Sequence, residues 1–136
     1  MDALSLAQPE REHDLTSDIS YPVVYRGKRG RDARTGGFFA FRMKVRPGPL
    51  LLQATYWGDE RNRRFHILVE GTRIASQVLE ANRPGEFIDI DYVIPEALTR
   101  DKTSVIVRFD PEPGRTAGPV FGCRIFAPAG AGASSV

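Results

Sequence analysis

Two carboxylates separated by one residue are the first candidates for chemistry. Asp89 and Asp91 lie in an alternating run, so their side chains share one strand face, about 6–7 Å apart from the rise per residue. An inverting glycosidase uses a comparable separation, but such a pair also suits any solvated strand face. Because no apolar segment stands nearby to keep one carboxyl protonated, we interpret both as surface residues and predict no catalytic site.

Three further side chains could contact a sugar. Trp57 is the only tryptophan, and alternation turns it away from the predicted core beside a polar loop. Sugars present apolar CH faces that stack on aromatic rings, so Trp57 is a candidate platform; alternatively it packs against the N-terminal segment or a neighbouring domain. Arg115, in a polar loop before the last predicted strand, has a guanidinium fork for hydroxyls or carboxylates. With Arg31, these residues form the candidate carbohydrate-binding set.

Acidic residues near the start are the candidate metal ligands. Glu10 and Glu12, followed by His13, supply oxygen and imidazole donors. Calcium takes six to eight oxygens from several segments, so Glu10 and Glu12 would be part of a structural calcium site; a plain exposed segment is the alternative. No other cofactor is predicted. The single cysteine, Cys123, excludes a disulfide within the chain and a zinc site built from several cysteines.

The charge of the chain argues against nucleic acid as a partner, and its lack of a long apolar run argues against a membrane span. With 19 Lys and Arg against 17 Asp and Glu, the net charge is +2, which is too low for a dedicated nucleic-acid binder. The basic run 26–34 contains Asp32, and its glycines do not match a phosphate-binding loop. No apolar run approaches the ~20 residues of a membrane span. Residues 1–9 lack the features of a signal peptide, and the sequence identifies no compartment.

The elements that position these residues read as strands. Short β-rich runs alternate with Gly, Pro, Asn and Asp clusters about every ten residues, as in antiparallel sandwiches and barrels. The predicted fold is an all-β, jelly-roll-like antiparallel sandwich of about eight strands, similar to the galactose-binding type, with an eight-stranded closed barrel as the alternative. Residues 1–19 are a polar leading segment with at most one edge strand, 20–127 form the sandwich, and 128–136 a disordered tail. The predicted strands are 20–25, 38–45, 50–57, 65–69, 74–79, 86–94, 104–109 and 120–127.

An ordered series of motifs resembles a known family. The series resembles the C-terminal β-sandwich of β-L-arabinofuranosidase-like proteins, glycoside hydrolase family 127 and relatives, and spans about residues 8–126. It consists of Gln8–Glu10 with His13, Arg31–Ala33, Gly36–Phe39, Thr55–Gly58, Phe65–Gly71, Ile94–Leu98 and Gly114–Gly122. A looser likeness is to galactose-binding-like carbohydrate-binding modules, which carry acidic residues on a first strand and often a calcium there.

The resemblance implies a non-catalytic role. In that family a separate helical barrel holds a zinc-bound cysteine nucleophile and a glutamate acid/base, and Cys123 matches no catalytic cysteine. The chain is therefore expected to be an accessory module that packs on the barrel of a periplasmic or secreted glycoside hydrolase and contacts carbohydrate. The alternative is a purely structural or protein-interaction domain. Three positions depart from the family: Gly30 and Phe38 replace tryptophans, and His66 replaces an aspartate.

In the family pattern, Arg31 and Asp32 resemble an ion pair that positions the loop before Gly36 and Gly37. Such a pair would be buried or lie at an interface, and losing one partner would leave the other charge uncompensated.

Overall fold

The computed structural model describes residues 13–128 as eight antiparallel strands and one short 3₁₀ turn. The order is β1 (Thr16–Tyr25), β2 (Lys28–Lys44), β3 (Leu50–Trp57), β4 (Arg63–Val69), β5 (Thr72–Leu79), β6 (Phe87–Ile94), the turn Glu96–Leu98, β7 (Ser104–Pro111) and β8 (Ala117–Phe126). The all-β, eight-stranded prediction is confirmed. Glu10, Glu12 and all but the first residue of the predicted tail 128–136 lie outside the described residues.

The strands form a sandwich that nearly closes into a barrel. The hydrogen-bonded order is β5-β4-β7-β2-β8-β3-β6, and β1 pairs with β2. Because β2 has 17 residues, its second half pairs with β7 and its first half with β8. We call the half containing β5, β4 and β7 the first sheet and the half containing β8, β3 and β6 the second sheet. The long strand β2 therefore belongs to both.

The core lies between the two sheets and follows the predicted alternation. Phe39, Phe41 and Met43 of β2 are buried, as are Leu50, Leu52, Ala54 and Tyr56 of β3. At alternate positions of these strands, Arg42 and Gln53 are polar and more exposed, whereas Ala40 and Trp57 are apolar and buried. Period-two alternation gives this segregation directly, because successive strand side chains point to opposite faces.

The β1–β2 hairpin bends where β2 passes from one sheet to the other. The register between the two strands shifts at Asp18 and Ser20, and Ile19 has a positive φ of 46°. Gly37 lies against this bulge, and a Cβ there would collide with the carbonyl of Asp18. Sequence analysis predicted a loop before Gly36; the structure corrects this, since β2 runs continuously from Lys28 through the glycine pair.

A buried chain of hydroxyls joins the open sides of the two sheets. Tyr56 and Tyr92 place their hydroxyl oxygens 2.7 Å apart, and the Tyr92 hydroxyl donates to Oε1 of Gln77 on β5 at 2.8 Å. This contact links the edge strands β6 and β5, which are not neighbours in the sheet. Within residues 13–128, no helix has the length and apolar character needed to cross a bilayer.

Candidate functional site

Trp57 is not the exposed platform that the sequence predicted. Its side chain does leave the core, but it is only 4% exposed. Tyr25, at the end of β1, packs on it with ring centroids 4.8 Å apart. Trp57 is therefore covered by the last residue of β1, which sequence analysis assigned to the sandwich and not to the leading segment 1–19. Alternation along β3 correctly predicts that Trp57 lies on the outer face. It cannot predict that the distant β1–β2 hairpin covers that face.

Four rings form what we call the aromatic cluster: Tyr25, Trp57, Phe87 and Phe121. Trp57 and Phe87 are cross-strand partners with centroids 4.8 Å apart, and Phe87 meets Phe121 edge-on at 5.2 Å. Phe121 reaches the outer face because the β3–β8 register shifts between Thr55 and Tyr56, which lets Val120 stay in the core. Tyr25 is 42% exposed, so the cluster reaches solvent through it.

Two cations of the β1–β2 hairpin lie over the rings. The guanidinium carbon of Arg26 is 5.0 Å from the Trp57 ring centroid and 5.8 Å from that of Tyr25. The ammonium of Lys28 is 4.5 Å from the centroid of Phe87. These distances lie within the ~6 Å range of cation–π attraction. The hairpin tip is thus held on the second sheet by ring contacts and by its own charges.

An open groove lies beside the aromatic cluster. It is lined by Arg83, Glu86, Phe87, Ile88, Asp89 and Ile90, and we call it the β6 groove. Phe87 belongs to both the groove and the cluster. The remaining lining is mixed in character, with an Arg83–Glu86 ion pair of 3.2 Å at its rim. A small-molecule site usually combines an apolar lining with a few polar groups, and this groove has lining residues of both kinds.

The loops above the groove are tied to each other by backbone hydrogen bonds. Gly58 donates to the carbonyl of Glu86 at 2.8 Å, and Ala81 donates to that of Glu60 at 2.7 Å. The carboxylate of Asp59 accepts from the Gly85 amide at 3.2 Å. These bonds join the β3–β4 and β5–β6 loops, so the rim of the groove is built before any ligand arrives.

Asp89 and Asp91 occupy a solvated face, as predicted. The Thr55 hydroxyl donates to Oδ1 of Asp89 at 2.5 Å, and the Gln53 amide donates to Oδ1 of Asp91 at 3.0 Å. Both carboxylates are exposed. They therefore accept ordinary cross-strand hydrogen bonds from neutral side chains of β3, and only Asp89 reaches the groove.

The two predicted arginines lie apart from the aromatic cluster. Arg31 donates to the Ser20 hydroxyl at 3.0 Å, and alternation along β2 directs it to the face opposite Lys28. Arg115, in the β7–β8 loop, donates to Oδ1 of Asn62 at 3.5 Å. The structure therefore does not bring Arg31, Arg115 and Trp57 into one site.

Asp32 is buried, but the ion pair that the structure shows for it is with Arg34, at 3.6 Å from Oδ2. Its other oxygen, Oδ1, is a buried side-chain atom that has no hydrogen-bond partner among residues 13–128. No group of three or more His, Cys, Asp or Glu within residues 13–128 could hold a metal ion. A lone carboxylate oxygen is a ligand that calcium accepts, but one oxygen does not make a site. The calcium site at Glu10 and Glu12 stays a prediction.

The Gly30 position, where the family has a tryptophan, leaves no room for a side chain unless its neighbours move. A Cβ on Gly30 would lie 2.8 Å from the Phe121 ring and 2.8 Å from the carbonyl of Val120. Phe38, the other departure, is partly exposed on the first sheet, with the Arg108 guanidinium 3.9 Å from its ring centroid. The two departures are therefore on different sheets and do not form one platform.

His66 makes a separate polar contact set on the first sheet. Its Nδ1 is 2.7 Å from the Ser76 hydroxyl, and its Nε2 is 3.6 Å from Oε2 of Glu112. A serine, a histidine and an acid in contact resemble a hydrolytic triad. Here, however, Ser76 contacts Nδ1, the histidine nitrogen that faces the acid in such a triad, and the contact is exposed. We interpret the set as cross-strand surface packing.

Sequence reasoning missed the aromatic cluster because its members come from four strands. Tyr25 and Phe121 were assigned to strands without a role, and Phe87 was included only as a strand position. The one available signal was the density of aromatic residues next to turns, at Tyr25, Trp57 and Phe87, each of which ends or begins a strand. Because alternate strand ends meet at the same end of an antiparallel sandwich, such residues converge.

Comparison with solved structures places the fold among carbohydrate-binding modules. A family 35 carbohydrate binding module from Clostridium thermocellum matches with a TM-score of 0.65 and 17% identity, over 85% of this chain and 93% of that one. The corresponding values are 0.61, 12%, 84% and 93% for the module of the same family from Paenibacillus barcinonensis. For a family 6 module from Clostridium cellulolyticum in complex with xylose they are 0.60, 10%, 86% and 93%. At these identities the likeness is one of fold.

Comparison with curated protein sequences finds no match. A family model does match, and it covers residues 5–126, nearly the whole chain. The chain therefore belongs to a family of unknown function, DUF6805.

Proposed function

We propose that this chain is a non-catalytic module that binds carbohydrate in the β6 groove. The observation that carries the proposal is that Phe87 lines the groove and is also part of the aromatic cluster. A sugar in the groove would have an aromatic edge at one end, and the side chains of Arg83, Glu86 and Asp89 along its length for hydroxyl hydrogen bonds.

The fold supports this proposal without carrying it alone. Three similar structures are carbohydrate-binding modules by name, and one of them holds xylose. Fold does not imply function, however, because the same sandwich hosts many unrelated sites. The groove and its ring are properties of this chain and give the carbohydrate hypothesis a definite location.

The wider context that we propose is an accessory role in a glycoside hydrolase. The ordered motifs that resemble the C-terminal sandwich of β-L-arabinofuranosidase-like proteins support it. In this role the module would pack on a catalytic barrel and hold the enzyme on its substrate.

The test is a glycan array followed by titration calorimetry on the sugars that bind. Phe87→Ala removes the ring that lines the groove, and Phe38→Ala is the matched control, since it removes a partly exposed phenylalanine under a cation on the first sheet. We expect Phe87→Ala to weaken binding about 30-fold or more, as loss of a hot-spot residue costs about 2 kcal/mol, and Phe38→Ala to bind as the wild type does. Failure of the folded wild type to bind any glycan would refute the proposal, as would equal losses in the two variants.

A second candidate function has an observation of its own. Among the described strands, β1 pairs with β2 alone, and it exposes Ile19, Tyr21 and Val24, the last at 69%. Exposed apolar residues that share a face are typical of interaction surfaces. Alternation puts Tyr21 and Val24 on opposite faces of β1, so docking on a catalytic barrel without any sugar would use the Val24 face. Co-purification of the chain with its parent's barrel, lost on Val24→Ser but kept on Phe87→Ala, would favour this interaction role.

A further inference from the structure

Cations lie over three of the four rings of the aromatic cluster. Arg26 lies over Trp57 and Tyr25, and Lys28 lies over Phe87. A neutral sugar that stacks on Phe87 must therefore share the ring with the Lys28 ammonium or displace it. The two cations therefore lie beside Phe87, where a ligand bound at this end of the β6 groove would meet them.

These cations are not neutralised by the described part of the chain. Neither Arg26 nor Lys28 meets a carboxylate within residues 13–128; their contacts there are with the rings. The nearby acids are engaged elsewhere: Glu86 pairs with Arg83, Asp59 accepts from the Gly85 amide, and Asp89 accepts from Thr55. Two positive charges thus remain beside the ring that lines the groove.

We infer that the β6 groove takes an anionic glycan, with a carboxylate or sulfate group of the sugar bound by Arg26 and Lys28 beside Phe87. The inference rests on the proposed carbohydrate binding and specifies its ligand class. An ammonium and a guanidinium provide strong, charge-assisted hydrogen bonds to oxyanions, and the guanidinium fork fits both carboxylate and sulfate. Asp89, farther along the groove, sets the orientation, because it repels an anionic group placed at that end.

The test uses pairs of glycans that differ only in charge. Polygalacturonate is compared with its methyl ester for carboxylate, and dextran sulfate with dextran for sulfate, in affinity electrophoresis at low and at high salt. The variants are Arg26→Gln, Lys28→Gln and Lys28→Met, the last of which keeps the aliphatic stem on Phe87. Arg29→Gln is the matched control: it removes the same charge from the same strand, but its side chain points to the opposite face.

We expect the charged member of at least one pair to bind about tenfold more tightly than its neutral partner at low salt, which corresponds to about one strong ionic contact. Arg26→Gln and both Lys28 variants should lose this preference, and Arg29→Gln should keep it. The charged pair that binds identifies the anion. Equal binding of charged and neutral members, or an equal loss in Arg29→Gln, would overturn the inference while leaving neutral carbohydrate binding in place. No binding by any glycan, on the array or here, would overturn the proposed function as well.

Discussion

The hydroxyls of Tyr56 and Tyr92 lie 2.7 Å apart in the interior, where the two sheets meet at their open side. Burial raises the pKa of both phenols, so both stay protonated at neutral pH. Since Tyr92 donates to Gln77, the Tyr56 proton points to the Tyr92 oxygen. The chain therefore has a direction, and its two members are not equivalent.

Removing the two hydroxyls should have unequal effects on stability. Tyr92→Phe leaves the fully buried Tyr56 hydroxyl without this partner, which costs about 1–3 kcal/mol. Tyr56→Phe leaves the Tyr92–Gln77 bond intact and should cost about 0.5–1.5 kcal/mol. Urea unfolding followed by circular dichroism measures both. Equal costs would mean that Tyr56 finds another acceptor when Tyr92 loses its oxygen.

Trp57→Ala should lower the free energy of unfolding, so its main effect is on stability and not on ligand binding. The side chain is buried against Tyr25 and Phe87, and truncating a buried tryptophan costs about 3–5 kcal/mol. Trp57→Phe, which keeps a ring, should lose distinctly less. Because Trp57 is the only tryptophan, circular dichroism must replace intrinsic fluorescence. A wild-type melting curve for Trp57→Ala would show that the cluster does not support the second sheet.

Gly30→Ala is expected to destabilise the hairpin. The added Cβ would lie 2.8 Å from both the Phe121 ring and the Val120 carbonyl, and overpacking of this kind costs about 1–3 kcal/mol. Gly27→Ala is a useful comparison, because a Cβ there meets nothing within 4 Å and only its positive φ of 78° opposes the change. Thermal melts of the two variants should rank Gly30→Ala as the more harmful.

Glu70 should contribute to stability at neutral pH and not in acid. The Ile106 amide donates to its Oε2 at 2.8 Å, and with Lys102 at 3.1 Å this holds the pKa of Glu70 below its ordinary value of 4.5. A lowered folded-state pKa gives a contribution that is complete above the unfolded-state pKa and is lost as the pH falls through the folded-state one.

We therefore expect Glu70→Gln to cost about 0.5–1 kcal/mol at pH 7, a value reduced for solvent exposure. The difference from wild type should shrink toward zero as the pH falls below about 4. Urea midpoints measured across this pH range test the sign, and a difference that grows in acid would contradict it.

Cys123 should be unreactive in the folded protein. Burial raises the pKa of its thiol to about 12, and only the thiolate is nucleophilic. Ellman's reagent at pH 8 should label no thiol in buffer and one thiol per chain in denaturing urea, since Cys123 is the only cysteine. Rapid labelling in buffer would show that β8 opens readily.

Strand positions and their inward faces were predictable because they depend on local alternation. The run from Phe38 and the run from Leu50 both proved to have the predicted buried side chains. The first part of β2 depends on contacts that are not local. Its arginines and glycines led to its interpretation as a basic loop, whereas in the structure it is a strand paired on both sides.

The candidate site was less predictable than the fold for the same reason. Trp57 was singled out correctly as an outer-face residue, but its cover, Tyr25, is 32 positions away in the sequence. Phe121 faces outward only because of a register shift between β3 and β8, which moves one residue across the sheet. Neither a contact between distant residues nor a bulge can be recognised from composition or periodicity, so the sequence did not predict the groove or the cations beside it.

The placement of β8 in the middle of the sheet also has a kinetic meaning. It pairs with β2 on one side and β3 on the other, so these early strands pair with residues about 64 to 89 positions later in the chain. Pairings that span so much sequence are slow to form. During synthesis the β1–β2 hairpin can form as soon as its own residues are available. The second sheet and the aromatic cluster cannot be completed until β8 has been synthesised as far as Phe126.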